Sequence, residues 1–263
     1  MLTEQQRQAA SDMLWDLWQR GLRIAALPTQ IRPTTREEGY AVQALLEGRS
    51  AHPLYGWKIA ATSLAGQRHI GVDGPLAGRL LRERVCNSGA ELALGANHMR
   101  VAEPEFAFRM GQTLPARASA YVLDEVLAAV DTLHPAIELP DSRYDDFTRA
   151  GAAQLIADNA CAHYFVLGPA AQIQWQSMDL AEHVVTGTVT GKLRYEGKGA
   201  NVLGDPRAAL TWLANELSRL GIALAAGQVV TTGTCVTPLP VVPAYHVFAD
   251  FGVLGSVELG FAA

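Results

Sequence analysis

The chain has little with which to cross-link itself. Its three cysteines, Cys86, Cys161 and Cys235, are an odd set, far apart and without Cys-x-x-Cys spacing. That argues against a disulfide framework or a structural zinc site and points to a reducing compartment. No run of Lys or Arg occurs, and the formal net charge is -5. Nucleic acid and anionic membrane surfaces need clustered cations and are therefore not expected partners. No apolar stretch approaches the roughly 20 residues that span a bilayer. The opening Thr3-Glu4-Gln5-Gln6-Arg7 is too polar for a secretory signal, so the cytoplasm is the expected location. Familiar catalytic signatures are missing too: there is no Gly-x-Ser-x-Gly elbow and no His-Glu-x-x-His. Gly187–Lys192 falls one residue short of a phosphate loop, and Gly197–Gly204 misses dinucleotide spacing. The seven histidines lie scattered without ligand spacing.

What remains is a chain rich in core-forming residues, 49% hydrophobic and 18% charged over 263 positions. That suffices for one large domain, or a main domain with a small lobe, and disfavours long disordered tails. Residues 4–20 carry Ala10, Met13, Leu14, Leu17 and Trp18 at three- and four-residue spacing, which predicts an amphipathic helix stopping at Gly21. Thr35-Arg36-Glu37-Glu38 has the pattern of a capping box and predicts a second helix running to Gly48. Residues 1–70 therefore read as a helical N-terminal lobe and 71–263 as a β-rich catalytic domain.

Short strands dominate from there: 55–60, 91–94, 101–110, 132–139, 163–167, 183–190, 193–195, 228–234, 246–251 and 256–261. Helices are expected near 121–130, 149–160 and 206–220, the last with Pro206 in its first turn. Many strands with few intervening helices do not suit a doubly wound parallel sheet. The expected class is α+β, with a largely antiparallel, rolled or sandwiched sheet.

Two segments carry chemistry. In Val101-Ala102-Glu103-Pro104-Glu105-Phe106, a strand places Glu103 and Glu105 on one face, since residues i and i+2 point the same way. Two carboxylates on an apolar strand face repel and lose solvation, and a hard divalent cation removes both costs because it prefers oxygen ligands. A second apolar strand, His134-Pro135-Ala136-Ile137-Glu138-Leu139, ends on a third carboxylate. Three carboxylates on two strands can cap one face of an octahedral site and leave positions open for water or a chelating substrate. The same residues also fit solvent-facing glutamates.

The second segment is Tyr55-Gly56-Trp57-Lys58-Ile59-Ala60. As a strand it puts Lys58 on the side of Gly56 and Ala60, where small neighbours admit a ligand. Lys58 is one of only three lysines among 21 basic residues, which suggests that a compact ammonium is required here. A snorkelling or salt-bridged lysine is the alternative.

Taken in order, Gly56–Ser63, Gly71-Val72-Asp73-Gly74-Pro75, Val101–Phe108, Ala136–Arg143, Asp158-Asn159-Ala160, Gly197–Gly204, Ala209–Asn215, Thr232-Gly233-Thr234 and Ala249–Ser256 resemble one family. It is the 2-keto-4-pentenoate hydratase and 4-oxalocrotonate decarboxylase family of the fumarylacetoacetate hydrolase superfamily. The resemblance spans nearly the whole chain. It implies a rolled, mixed β-sheet core behind a helical N-terminal lobe, and a homo-oligomer that could associate with the next enzyme of its pathway. It implies that Glu103, Glu105 and Glu138 bind Mg2+ or Mn2+, that Lys58 is the catalytic lysine of the family's Gly-Trp-Lys motif, and that Asp73, Cys161 and Thr234 bind substrate. The family's substrates are 2-hydroxydienoates and their 2-keto tautomers, formed late in the bacterial breakdown of aromatic rings.

The expected reaction starts with the metal chelating the substrate's 1-carboxylate and 2-oxygen. Lys58 then stabilises enolate charge as the dienol is protonated, and water adds to the distal alkene carbon to give a 4-hydroxy-2-keto acid. Decarboxylation of a 2-keto dioate would use the same enolate stabilisation. Hydrolysis of an acylpyruvate C–C bond needs a water-activating base, and no convincing His-Glu pair is present. A catalytically silent partner of a related enzyme is a further reading, against which the intact carboxylate and lysine set argues. Departures from the family pattern bear on the substrate: Leu76 stands where an acidic residue is common, Cys161 where serine is, and Pro243-Ala244-Tyr245-His246 replaces a Pro-Gly-Asp turn. If Leu76 and Cys161 line the pocket, they make it less polar.

Overall fold

The computed structural model describes residues 1–263. Helix α1, Glu4–Arg20, opens with a capping box in which Thr3 accepts the Gln6 N–H and Gln6 accepts the Thr3 N–H. It closes on Gly21, whose left-handed conformation (φ 63°) returns its N–H to the last turn. Helix α2, Arg36–Gln43, is capped by Thr35 and passes into a 3-10 stretch over Ala44–Arg49. The expected reciprocal bond of its capping box is replaced. The Glu38 carboxylate instead accepts the Leu2 and Thr34 N–H groups, at 2.7 and 2.8 Å.

The remaining helices are α3 (Leu64–His69), α4 (Leu123–Ala128), α5 (Ala152–Ala157) and α6 (Pro206–Arg219). The strands are β1 (Gly56–Ala60), β2 (Leu76–Leu80), β3 (Val85–Asn87), β4 (Ala90–Leu92), β5 (Val101–Met110), β6 (Val130–Leu139) and β7 (Tyr164–Leu167). They continue with β8 (Val184–Val189), β9 (Leu193–Lys198), β10 (Val229–Thr234), β11 (Leu239–Pro240), β12 (His246–Asp250) and β13 (Ser256–Phe261).

An eight-stranded sheet runs β2-β1-β10-β5-β6-β7-β3, with β11 also paired to β5, and a five-stranded sheet runs β4-β13-β12-β8-β9. Most pairs are antiparallel; β1 with β10, β3 with β7 and β4 with β13 are parallel. The class is therefore the mixed α+β expected. The two sheets pack through β6 and β7 against β12 and β13, and Phe106 on β5 meets Phe251, just past β12, edge-on at 5.1 Å. Strand β1 sits inside the large sheet between β2 and β10, so a boundary at residue 70 would divide the sheet from its own strand.

Strands β2, β3 and β11 and helix α3 are absent from the sequence expectation. Strand β2, Leu-Ala-Gly-Arg-Leu, is buried at every position, so it shows no polar alternation to read. Strands β3 and β11 are only three and two residues long, and α3 is six residues interrupted by Gly66.

Helix α1 docks through Trp18, whose Nε1–H donates to His163 Nδ1 at 2.8 Å. That nitrogen must be unprotonated to accept. Burial, followed by the charges of Arg143, Arg84 and Arg23, holds His163 down at about 3. The same Arg143 and Arg84 lie over the Trp18 ring, at 4.6 and 5.2 Å from its centroid. Because the folded value lies below the unfolded value of about 6.5, the contribution of neutral His163 is complete above pH 6.5. It is lost progressively as pH falls from there towards 3. Denaturation curves taken between pH 6.5 and 4 should show His163→Asn losing less stability with acid than the parent. The expected difference in slope is about one proton, or ~1.4 kcal/mol per pH unit.

Candidate metal centre and its cavity

Strand register brings the carboxylates together. Glu103 on β5 lies directly opposite Glu138 on β6, and Glu105 lies opposite Ala136 and, across the other edge of β5, Thr234. Opposed residues share a face, so Glu103, Glu105 and Glu138 project together, with one oxygen from each within 4.8 Å of the others. Lys58 on β1 pairs with Thr231 on β10, which in turn pairs with Ala107 on β5. Lys58 therefore reaches the same face from two strands away. On the opposite face Trp57, Ile59, Phe106, Phe108 and Ile137 form the main core.

The arrangement is electrostatically expensive by itself. Like charges directly opposite in a ladder repel, and Glu105 and Glu138 are 1% and 0% exposed. Burial raises Glu103 and raises Glu138 well above the carboxylate range, the latter with help from its two neighbours' charges and against the pull of Lys58. Glu105 is pushed up to about 7 by burial and by Glu103, against Lys58 and the donors Thr231 and Gly233. For Lys58 burial opposes the charge, but Glu138 and Glu103 outweigh it and hold the ammonium above its ordinary value.

Partners are distributed unequally. Glu105 Oε2 accepts the Thr231 hydroxyl and the Gly233 N–H, the latter at 2.8 Å. Lys58 Nζ donates to the Ala160 carbonyl at 2.9 Å and stands 3.3 Å from Glu138 Oε2, in an ion pair not aligned as a hydrogen bond. Both Glu138 oxygens are buried with no hydrogen-bond partner. Buried carboxylate oxygens are almost always satisfied, so this is a donor set with its acceptor capacity free. An all-oxygen trio with an orphaned member fits a hard divalent cation such as magnesium.

The backbone around the site is specialised. Asn159, Ala160 and Cys161 are three successive residues with positive φ (56°, 49° and 61°), a run that L-residues adopt only when the surroundings enforce it. The Asn159 side chain accepts the Arg79 N–H at 2.6 Å and donates to the Arg79 carbonyl at 2.8 Å. Asp158, just before the turn, is bonded to Ser142 and Arg143 and fastens it further. The turn thereby aims the Ala160 carbonyl at Lys58. Gly78, opposite Lys58 on β2, leaves room for the lysine stem, because a Cβ there would meet Lys58 Cγ at 3.0 Å.

Above the centre opens a cavity of about 1200 Å3, lined by Lys58, Glu103, Cys161 and Thr234 among others. Leu76 lines it as well, so both departures from the family pattern that bear on polarity face the cavity. Asp73 is not brought there: it is exposed and pairs with Arg36 at 3.2 Å. The turn that follows α3 carries Asp73 outward. Sequence reasoning missed Thr231, the Ala160 carbonyl and the clamp from Asn159. Two of these act through tertiary contacts and one is a backbone group, so none leaves a pattern in the residues.

The fold is that of a known class. A family model, the fumarylacetoacetate (FAA) hydrolase C-terminal domain, matches residues 83–257, and the chain belongs to that family. It is 31% identical to a 2-keto-4-pentenoate hydratase of Paraburkholderia xenovorans, across 99% of this chain and 96% of the relative. It is 32% identical to a 4-oxalocrotonate decarboxylase of a Pseudomonas species, across 77% of each. Among solved structures it superposes on a 4-oxalocrotonate decarboxylase from Pseudomonas putida G7 complexed with magnesium and adipate, with TM-score 0.90, 26% identity and 99% of each chain covered.

Gly233 supplies a test of the local geometry. It has φ 98°, and a Cβ there would lie 2.1 Å from Thr62 Oγ1. Gly233→Ala should displace the donor to Glu105 and weaken Mg2+ affinity by about tenfold, the scale of one hydrogen bond to a charged group. Thr62→Ala added to it should restore only part, since the backbone strain stays. Isothermal titration with Mg2+ reads both.

Proposed function

We propose that this chain is a divalent-metal-dependent hydro-lyase that adds water to a 2-hydroxydienoate, or its 2-keto enoate tautomer, to give a 4-hydroxy-2-keto acid. The observation that carries the reading is the orphaned Glu138 carboxylate beside Glu103, Glu105 and a charged Lys58 at the floor of a cavity. Mg2+ or Mn2+ would be held by those three glutamates and would supply Lewis-acid polarisation of a chelating 2-keto acid. The full-length likeness to a 2-keto-4-pentenoate hydratase favours hydration. Decarboxylation of a 2-keto dioate is the competing reading, favoured by the fold match to a decarboxylase.

The chain's own groups divide the work. Lys58 is fixed by the Ala160 carbonyl and Glu138, so its ammonium needs no reorganisation to stabilise charge developing on the substrate's 2-oxygen. Glu105 is held by Thr231 and Gly233, which orients its remaining oxygen. Cys161 and Thr234 face the substrate from the cavity wall. Asp73 falls outside this set.

No helix is long and apolar enough to cross a membrane. A cytoplasmic location, a homo-oligomer and association with the next pathway enzyme belong to the same reading. Light scattering of the purified protein measures the assembly.

Three outcomes are expected. Glu105→Gln should lower Mg2+ affinity and turnover together while the circular dichroism spectrum is kept; full activity at limiting metal would remove Glu105 from the site. Lys58→Met should abolish most turnover yet retain metal binding. Mg2+ at about 100 times its Kd should raise the midpoint of thermal unfolding by roughly 5–10 °C, from ~2.7 kcal/mol of linkage, and chelator should reverse it. Product analysis then separates the reactions: CO2 released without a 4-hydroxy product would replace hydration with decarboxylation.

A further inference from the structure

We infer that the substrate carries a single carboxylate and an extended apolar tail, an inference that rests on the chelating 2-keto acid reading above. The cavity is about 1200 Å3, larger than the roughly 300–1,000 Å3 typical of sites for drug-sized ligands, and far more than a five-carbon acid fills. Of the chain's 21 basic residues, only Lys58 lines it, and no arginine does. Lys58 is already committed to Glu138 and the Ala160 carbonyl. His69, the one other basic group on the lining, is exposed and sits edge-on to Phe147 at 5.9 Å.

Four of the wall's polar side chains are occupied as well, leaving the hydroxyls of Thr62 and Thr237. Ser63 caps α3 by accepting the Gly66 N–H. Gln67 donates to the Ala61 carbonyl, Asn201 to that of Cys235 and Thr234 to that of Val236, at 3.1, 2.8 and 2.6 Å. Away from the carboxylates the wall is built by Ile70, Leu76, Met99, Phe147 and Leu155, contributed by five separate segments. A second carboxylate entering this region would lose its hydration and find no buried cation to offset it, only neutral hydroxyls and amides. An alkyl or aryl tail would instead gain about fourfold in binding for each methylene buried.

The test measures kcat/KM with Mg2+ over 2-hydroxy-2,4-dienoates bearing no tail, a propyl or a pentyl tail, and a terminal carboxylate of matched length. Turnover efficiency should rise about three- to fourfold per methylene until the cavity fills, and each terminal carboxylate should fall at least tenfold below its alkyl counterpart. Calorimetry with unreactive 2-ketooctanoate and the dicarboxylate 2-ketosuberate, both with Mg2+, reads the cavity without requiring turnover. If no dienoate reacts but 2-ketooctanoate binds at least tenfold more tightly, hydration is wrong and the apolar tail stands. Equal or tighter dicarboxylate binding, or affinity independent of tail length, overturns the inference. Ile70→Arg and, as a second position, Met99→Arg should each shift the ratio of dicarboxylate to alkyl binding at least tenfold towards the dicarboxylate. An unchanged ratio in both folded variants places the tail elsewhere and also overturns it.

Discussion

Three carboxylates share one face of a β-sheet, two of them opposed across a single ladder step, with one lysine to balance them. Every specialised feature of the structure follows from that imbalance. In the absence of further positive charge the cluster relieves itself by protonation: burial lifts all three glutamates, and repulsion from their neighbours adds to the rise of Glu105 and Glu138. Lys58 moves the other way, because its carboxylate neighbours outweigh its own desolvation. A site under this tension is poised to exchange protons for a cation. The lack of any hydrogen bond to Glu138 marks where coordination capacity is held in reserve.

The scaffold keeps this tension from dissipating. Side chains this close could swing apart if the strands were mobile, but β5 is bounded on both edges by β6 and β10, and its far face packs Phe106 and Phe108 into the core. Lys58 is held from the backbone side by a left-handed turn whose start is fastened by Asp158 and Asn159. The rigid floor contrasts with the cavity above it, whose walls are largely apolar and carry no arginine. Chemistry is concentrated at the floor, and the walls are left to recognise shape and hydrophobicity.

Much of this was legible in the residues. Strand β5 and helix α1 have the boundaries their periodicities predict, because both are long and one-sided, with a buried stripe that repeats. Glu103 and Glu105 could be paired from spacing alone, since alternation fixes side-chain direction within a strand. Strand β2 was invisible for the converse reason: a segment buried on both faces has no alternation, and its Gly78 and Arg79 resemble a turn. Asp73 was assigned by resemblance to the substrate, whereas the turn after α3 exposes it and hands it to Arg36.

Composition and local pattern by themselves determined the α+β class, most of the strands and the pairing of Glu103 with Glu105, because each depends on residues near in sequence. Only the tertiary structure decided that Glu138 stands opposite Glu103, that Lys58 reaches it across two strands, and that Thr231 and Gly233 orient Glu105. Those facts depend on strand order and register. The order β1-β10-β5-β6 joins segments far apart in the chain, as Trp57 and Val230 are, and its energetics lie in a shared core that no local window contains.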